Sequence, residues 1–206
     1  MGRFSQAISE GDGISVVPVL EGDVGELAAL AEEAGAEAVA VQTAAEAELA
    51  RAQTTLPILV RDSLREADVE TLASRGADAC TIVFREASGD DDRLGLLYAL
   101  AGDAGLDCVI EVRDEEELEE ALELVDPEIL IISERESSDD EEDLEHTLDL
   151  LSDVPAGKLV VAESPIRNRN QVVALERAGV DAILVGSEFL RVSPDFGSAL
   201  AELTGR

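Results

Sequence analysis

AGVDAILVG, residues 178–186, decides the fold. Its glycine suits the left-handed turn that closes a helix, the acid and small residue form a lead-in, and Ala182 to Val185 then run apolar. Strands covered on both faces have that character. The same lead-in recurs as AGAEAV (34–39), RGADAC (75–80) and AGLDCV (104–109), each ahead of another apolar run. A recurring helix end and strand start marks successive βα units rather than a solenoid.

Working outward, eight strand-like runs appear: SVVPVL (15–20), AVAVQ (38–42), PILV (57–60), ACTIVF (79–84), CVIEV (108–112), ILIIS (129–133), LVVAE (159–163) and AILVG (182–186). Between them apolar residues fall at helical intervals, as in Leu118, Ala121, Leu122 and Val125 behind an acidic start in which Asp114 and Glu117 make an N-cap pair. Eight units in 206 residues predict a single-domain α/β (β/α)8 TIM barrel over 14–206, after a short N-terminal segment, 1–13. The competitor is an open doubly wound sheet. The chain has no G-x-G-x-x-G after its first strand and no P-loop, which counts against the nucleotide-binding versions of that fold. SERESSDDEEDLE (133–145) reads as a solvated strand-to-helix loop.

Forty-seven acidic residues against 15 basic ones give a net charge of -32, which opposes nucleic-acid backbones and anionic membranes. Periodic apolar blocks, at 46% hydrophobic residues overall, argue for a folded chain with a solvated acidic shell rather than for disorder. The composition, with its single lysine at Lys158, resembles that of haloarchaeal and other salt-adapted proteins, in which high ionic strength screens self-repulsion. No apolar leader or ~20-residue apolar span is present, so a cytoplasmic location is expected. Cys80 and Cys108 lack metal-ligand spacing and read as buried free thiols. One histidine, His146, among helical acids reads as a surface residue, and no metal or Ser-His-Asp cluster can be assembled. No cofactor is expected. The partners expected are a phosphorylated small molecule or another protein.

Residues 160–191, VVAESPIRNRNQVVALERAGVDAILVGSEFLR, resemble the last two βα units of indole-3-glycerol phosphate synthases. PILVRDSL (57–64), CVIEVRDEEEL (108–118) and ILIISERES (129–137) resemble that family's motifs at strands three, five and six. The resemblance implies a (β/α)8 barrel that closes and decarboxylates a phosphorylated anilino-deoxyribulose. It implies a site of two lysines, two glutamates and an Asn and Arg of strand six, with phosphate held after strands seven and eight.

Matched residue by residue, the family's E-I-K at strand one falls on Val19, Leu20 and Glu21, and the strand-three lysine falls on Arg61. Arginine holds an anion but gives up no proton, its pKa lying above ~12. Glu111 keeps the strand-five carboxylate, Arg135 keeps the strand-six cation, and Ser133 replaces the asparagine. Ser164, Gly186 and Ser187 keep the phosphate-binding types, whereas Pro165 replaces a glycine and Glu188 adds a like charge. About 13 residues precede strand one, so the family's N-terminal extension and long lysine-bearing loop are not expected. Each retained group also has a structural reading: Glu111 paired with Arg135, Arg61 paired with Asp62, and turn chemistry at Ser164, Gly186 and Ser187. Arg167, Asn168, Arg169 and Asn170 fit either a solvated helix start or an anion contact.

Taken jointly, the replacements predict a degenerate relative, a non-catalytic barrel kept for binding or regulation. The retained groups keep a second reading open, an active synthase or related lyase. In it Glu111 is base or charge stabiliser, Arg61 and Arg135 hold carboxylate or phosphate, and Ser164, Gly186 and Ser187 anchor phosphate.

Overall fold

The computed structural model describes residues 2–11, 13–89, 92–133, 140–163, 166, 168–186 and 196–204, the side chains of 140–143 and 204 excepted. Eight parallel strands run β1 (Ser15–Pro18), β2 (Val39–Val41), β3 (Ile58–Ser63), β4 (Ala79–Val83), β5 (Asp107–Val112), β6 (Ile129–Ile132), β7 (Leu159–Glu163) and β8 (Ala182–Val185). Their order around the sheet is β1-β8-β7-β6-β5-β4-β3-β2, and a bridge from Val19 to Ala40 joins β1 to β2. The expected (β/α)8 barrel is what forms.

The helices are α1 (Arg3–Ser9), α2 (Val24–Glu33), α3 (Ala44–Arg51), α4 (Val69–Ser74), α5 (Phe84–Ala87), α6 (Arg93–Asp103), α7 (Glu115–Leu124), α8 (Asp140–Leu151), α9 (Arg169–Ala178) and α10 (Phe196–Thr204). Several boundaries differ from the sequence reading; β1 stops at Pro18 and β3 runs on to Ser63. Phe84 opens α5 rather than ending β4, and α8 begins at Asp140, inside the stretch read as a loop. Of that stretch, residues 134–139 lie outside the described residues.

The recurring lead-in has a physical job at each position. Gly35, Gly76, Gly105 and Gly179 take φ of 84°, 87°, 77° and 100°, a region that costs an L-residue its Cβ contacts. The acids behind them cap the barrel floor. Glu37 accepts the N–H of Val16 at 3.1 Å, Asp78 that of Ile58 at 2.9 Å, and Asp181 that of Val160 at 2.8 Å. In each case the acid ahead of one strand satisfies a donor in the first two residues of the strand before it, which would otherwise be an orphaned backbone group.

Asp107 serves a different element. Its carboxylate accepts the N–H groups of Gly2 (2.9 Å) and Ser5 (2.8 Å), capping α1 from outside the helix. Phe4 and Ile8 of that helix are buried with Val17, Leu59, Val109 and Val161 in the barrel interior. Helix α1 thus plugs the N-terminal end. Arg3 adds an ion pair to Asp78 at 2.8 Å. Lys158 sits at this same end, just ahead of β7, with Nζ 2.6 Å from Asp126. A second cluster, including Val16, Val39, Ile58, Cys80 and Ile110, packs between strands and helices. With both faces covered, the strands read as continuous apolar runs.

Candidate active site

Strand alternation carries the barrel interior upward from apolar to charged. Val17, Leu59, Val109 and Val161, from the odd-numbered strands, lie in the interior cluster. Two residues further along each strand come Val19, Arg61, Glu111 and Glu163, so side-chain period two stacks these four as the next layer toward the C-terminal mouth. β3 and β4 lose register between Val60 and Ser63, which places the irregularity at Arg61 and Asp62. Such a bulge re-aims a side chain at a barrel rim.

Arg61 points across the barrel. Its Nη1 and Nη2 donate to Glu163 Oε1 and Oε2 at 2.6 and 2.7 Å, and Nη2 also reaches Glu111 Oε2 at 3.3 Å. The Arg61 side chain is 11% exposed, Glu111 5% and Glu163 31%. Burial works against the charged guanidinium, but the hydrogen bonds and charge of Glu163, followed by those of Glu111, outweigh it and hold Arg61 above the ordinary arginine value. Glu111 Oε1 accepts from Ser133 Oγ at 3.1 Å and lies 3.4 Å from Arg113 Nη2. Arg61 Nε is buried and has no hydrogen-bond partner among the described residues.

The loop bearing Arg113 is held from two sides. Asp114 accepts the Glu117 N–H at 3.0 Å, as expected of the N-cap, and Glu117 accepts the N–H of Arg113, the residue before the cap, at 2.9 Å. From α8, His146 Nε2 lies 2.8 Å from the Arg113 carbonyl. Because a carbonyl only accepts, Nε2 carries the proton. His146 is therefore half-buried against the β5 loop, a correction to its reading as a surface residue.

A model of the indole-3-glycerol phosphate synthase family matches residues 19–203. Synthases of that name from Albidiferax ferrireducens and a Polaromonas species are 38% identical over 154 residues and 40% identical over 157. The chain belongs to the indole-3-glycerol phosphate synthase family. Those matches cover 75% and 76% of this chain but 57% and 58% of the two relatives, so it spans under two thirds of their length. Among solved structures, two tryptophan synthase alpha-subunit structures from Pyrococcus furiosus, one of them a mutant, superpose with TM-scores of 0.74 at 14% identity. They cover 93% and 95% of this chain, and 98% and 99% of their own. At that identity the likeness concerns the barrel alone.

Against the synthase pattern, the structure brings Arg61 directly to Glu111 and adds Glu163, which the sequence reading left out of the site. The signal was available. Glu163 lies two residues beyond Val161 on a strand whose layer partners are Leu59 and Val109. Asp62 is not the acid that Arg61 meets; the Asp62 side chain is exposed and its N–H bonds the Gln42 carbonyl at 3.0 Å. Arg135, Ser164 and Ser187 lie outside the described residues, as do Pro165, Arg167 and Glu188, so Glu111 is accounted for here by Arg61, Arg113 and Ser133.

Gly186 stands exposed after β8, at the same end of the barrel, and a Cβ built on it meets nothing within 4 Å. Val19, where synthases carry a glutamate, is 6% exposed, and Glu21 is exposed beyond it. Asn168 caps α9 through the N–H groups of Asn170 and Gln171, and Arg169 donates to the Leu203 carbonyl, which supports the helix-start reading of that segment. Cys80 and Cys108 are buried and free, and the β4–β5 register sets them side by side outside the barrel wall. Among the described residues no group of three or more His, Cys, Asp or Glu is placed to hold a metal, and no helix is long and apolar enough to cross a membrane.

Proposed function

We propose that this barrel acts at its C-terminal mouth on a phosphorylated anilino sugar, performing the indole-3-glycerol phosphate synthase reaction or a close relative of it. One observation carries the reading: two carboxylates, Glu111 and Glu163, and one fixed cation, Arg61, share the layer where barrels of this fold place their chemistry. Relatives at 38% and 40% identity that bear the synthase name support it.

Ring closure joins an aromatic carbon to a carbonyl carbon, loses the neighbouring carboxylate as carbon dioxide with its electron pair returning to the ring, and expels the hydroxyl as water. A proton must reach the carbonyl oxygen and the departing hydroxyl, and a base must take one away. Arg61 cannot be the donor. The two glutamates divide the work in this reading. Glu111, fixed by Ser133 and Arg113, takes the proton or stabilises charge, and Glu163, nearer solvent, supplies one only after it has left Arg61 and picked up a proton from water. Arg61 and Arg135 hold ligand anions, while Ser164, Gly186 and Ser187 anchor phosphate.

Arg61 itself favours the second reading, a non-catalytic barrel that binds without turnover: it stands where the family has a lysine and is held charged by Glu163 and Glu111. The deciding assay is indole fluorescence on incubating the protein with the anilino-deoxyribulose phosphate in molar KCl. Turnover that falls in Glu111→Gln supports the synthase reading. Saturable binding without product selects the non-catalytic one, with a protein or small anion as its partner.

A further inference from the structure

The Arg61 fork already holds an anion, and the chain itself supplies it. Glu163 meets Nη1 and Nη2 with both carboxylate oxygens, at 2.6 and 2.7 Å, the planar two-point match that guanidinium makes best with a carboxylate. Glu111 lies farther off at 3.3 Å, on one nitrogen, and is 5% exposed with Ser133 and Arg113 also on it. Glu163 is 31% exposed at the end of β7. Of the two acids, Glu163 can leave the fork for water at the lower cost. Arg61 Nε, buried and without an acceptor among the described residues, marks a donor still to be satisfied.

We infer that Glu163 is a built-in competitor for Arg61, and that the ligand taken at this layer carries a carboxylate which displaces Glu163 from the fork. The inference rests on reading the mouth as a ligand site. A carboxylate is favoured over a phosphate for two reasons. Its shape repeats that of the present occupant. Its single charge is also repelled by Glu111 about half as strongly as the nearly doubled charge of a phosphate would be. Val19, where synthases have a glutamate, gives the layer an apolar side suited to a group attached to that carboxylate.

The test is calorimetric titration, in molar KCl, of the wild-type protein, Glu163→Gln, Arg61→Met and Arg61→Lys with benzoate and separately with inorganic phosphate. A neutral amide yields the fork more readily than a carboxylate, so Glu163→Gln binds benzoate about tenfold tighter or more than wild type. Arg61→Met loses benzoate binding. Should that variant fail to fold, Arg61→Lys, which keeps the charge without the fork, is expected to lose most of it. Benzoate affinity that is unchanged or weaker in Glu163→Gln overturns the competitor role, and a gain for phosphate instead of benzoate overturns the ligand class. Turnover is not needed for any of these readings. A protein without synthase activity that shows the benzoate gain keeps this inference and loses the proposed function, and turnover without the gain does the reverse.

Discussion

Replacing Arg61 with methionine tests the charged layer most directly. The substitution keeps the stem's bulk but leaves Glu111, 5% exposed, and Glu163, 31% exposed, facing each other across the barrel. Breaking a buried pair by removing one partner costs about 3–5 kcal/mol. Two features lower that figure here, because Arg113 at 3.4 Å and Ser133 at 3.1 Å still meet Glu111, and Glu163 can turn toward water. About 2–3 kcal/mol is then expected, or a melting point lower by roughly 5–10 °C for a domain of this size. The loss depends on pH in a definite direction. Without Arg61 the two carboxylates face each other with less counter-charge, and they repel only while both are ionised. The gap to wild type must therefore be wider at pH 8 than at pH 5. Thermal melts in molar KCl at the two pH values read both quantities. A melting point within ~2 °C of wild type at pH 8, or an equal loss at both pH values, refutes the reasoning.

Burial raises the Asp181 carboxyl, with the Val160 N–H bond opposing it, so ionising this acid lowers stability as pH rises from the unfolded to the folded value. Asp181→Asn keeps an acceptor for Val160 and is expected to melt no lower than wild type at pH 7, and a lower melting point there would contradict the burial argument. Glu32 is held below its ordinary value by hydrogen bonds from Thr55 and Thr54. Its stabilisation is present above the unfolded pKa and lost as pH falls through the folded one, so Glu32→Gln should lower the melting point at pH 7 and by progressively less as pH falls through the acid range. The Cys108 thiol is raised first by its hydrogen bond with Cys80 and then by burial, and both thiols are buried from reagent, so both should resist a thiol reagent in the folded protein and react once it is denatured; fast labelling of the native chain would contradict this packing.

Much of the architecture was legible because it repeats. Four lead-ins, read only as a glycine and an acid ahead of a strand, turn out to be left-handed glycines with acids that cap three strand starts and, at Asp107, α1. The site was legible where a strand end could be matched, at Arg61 and Glu111, and not where a side chain's partner lies across the barrel. Arg61 and Glu163 are 102 positions apart, and nothing local to either signals the other. Layering does signal it, since residues two beyond an interior apolar position on odd strands must share a level. His146 was misread for a related reason. Its neighbours in sequence are acids of α8, but its partner is the Arg113 carbonyl on a different unit.

The acidic shell and the charged layer pull in opposite directions on an anionic ligand. At a net charge of -32 the surface repels such a ligand from far outside the mouth, while Arg61 attracts it only at contact. Salt separates the two, because screening shortens the reach of exposed charges from about 8 Å at physiological ionic strength to about 3 Å at 1 M, yet hardly touches a buried pair. Association should therefore speed up as KCl rises toward 1 M. An anion site on a neutral or basic surface shows the opposite trend. The same screening relieves repulsion among the acids themselves, so the melting point should climb over the same range. Stopped-flow binding of benzoate and thermal melts across one KCl series report both slopes. An association rate that falls with salt would mean that local cations, and not the shell, dominate the approach, and the acidic surface would then have to be explained without reference to the site.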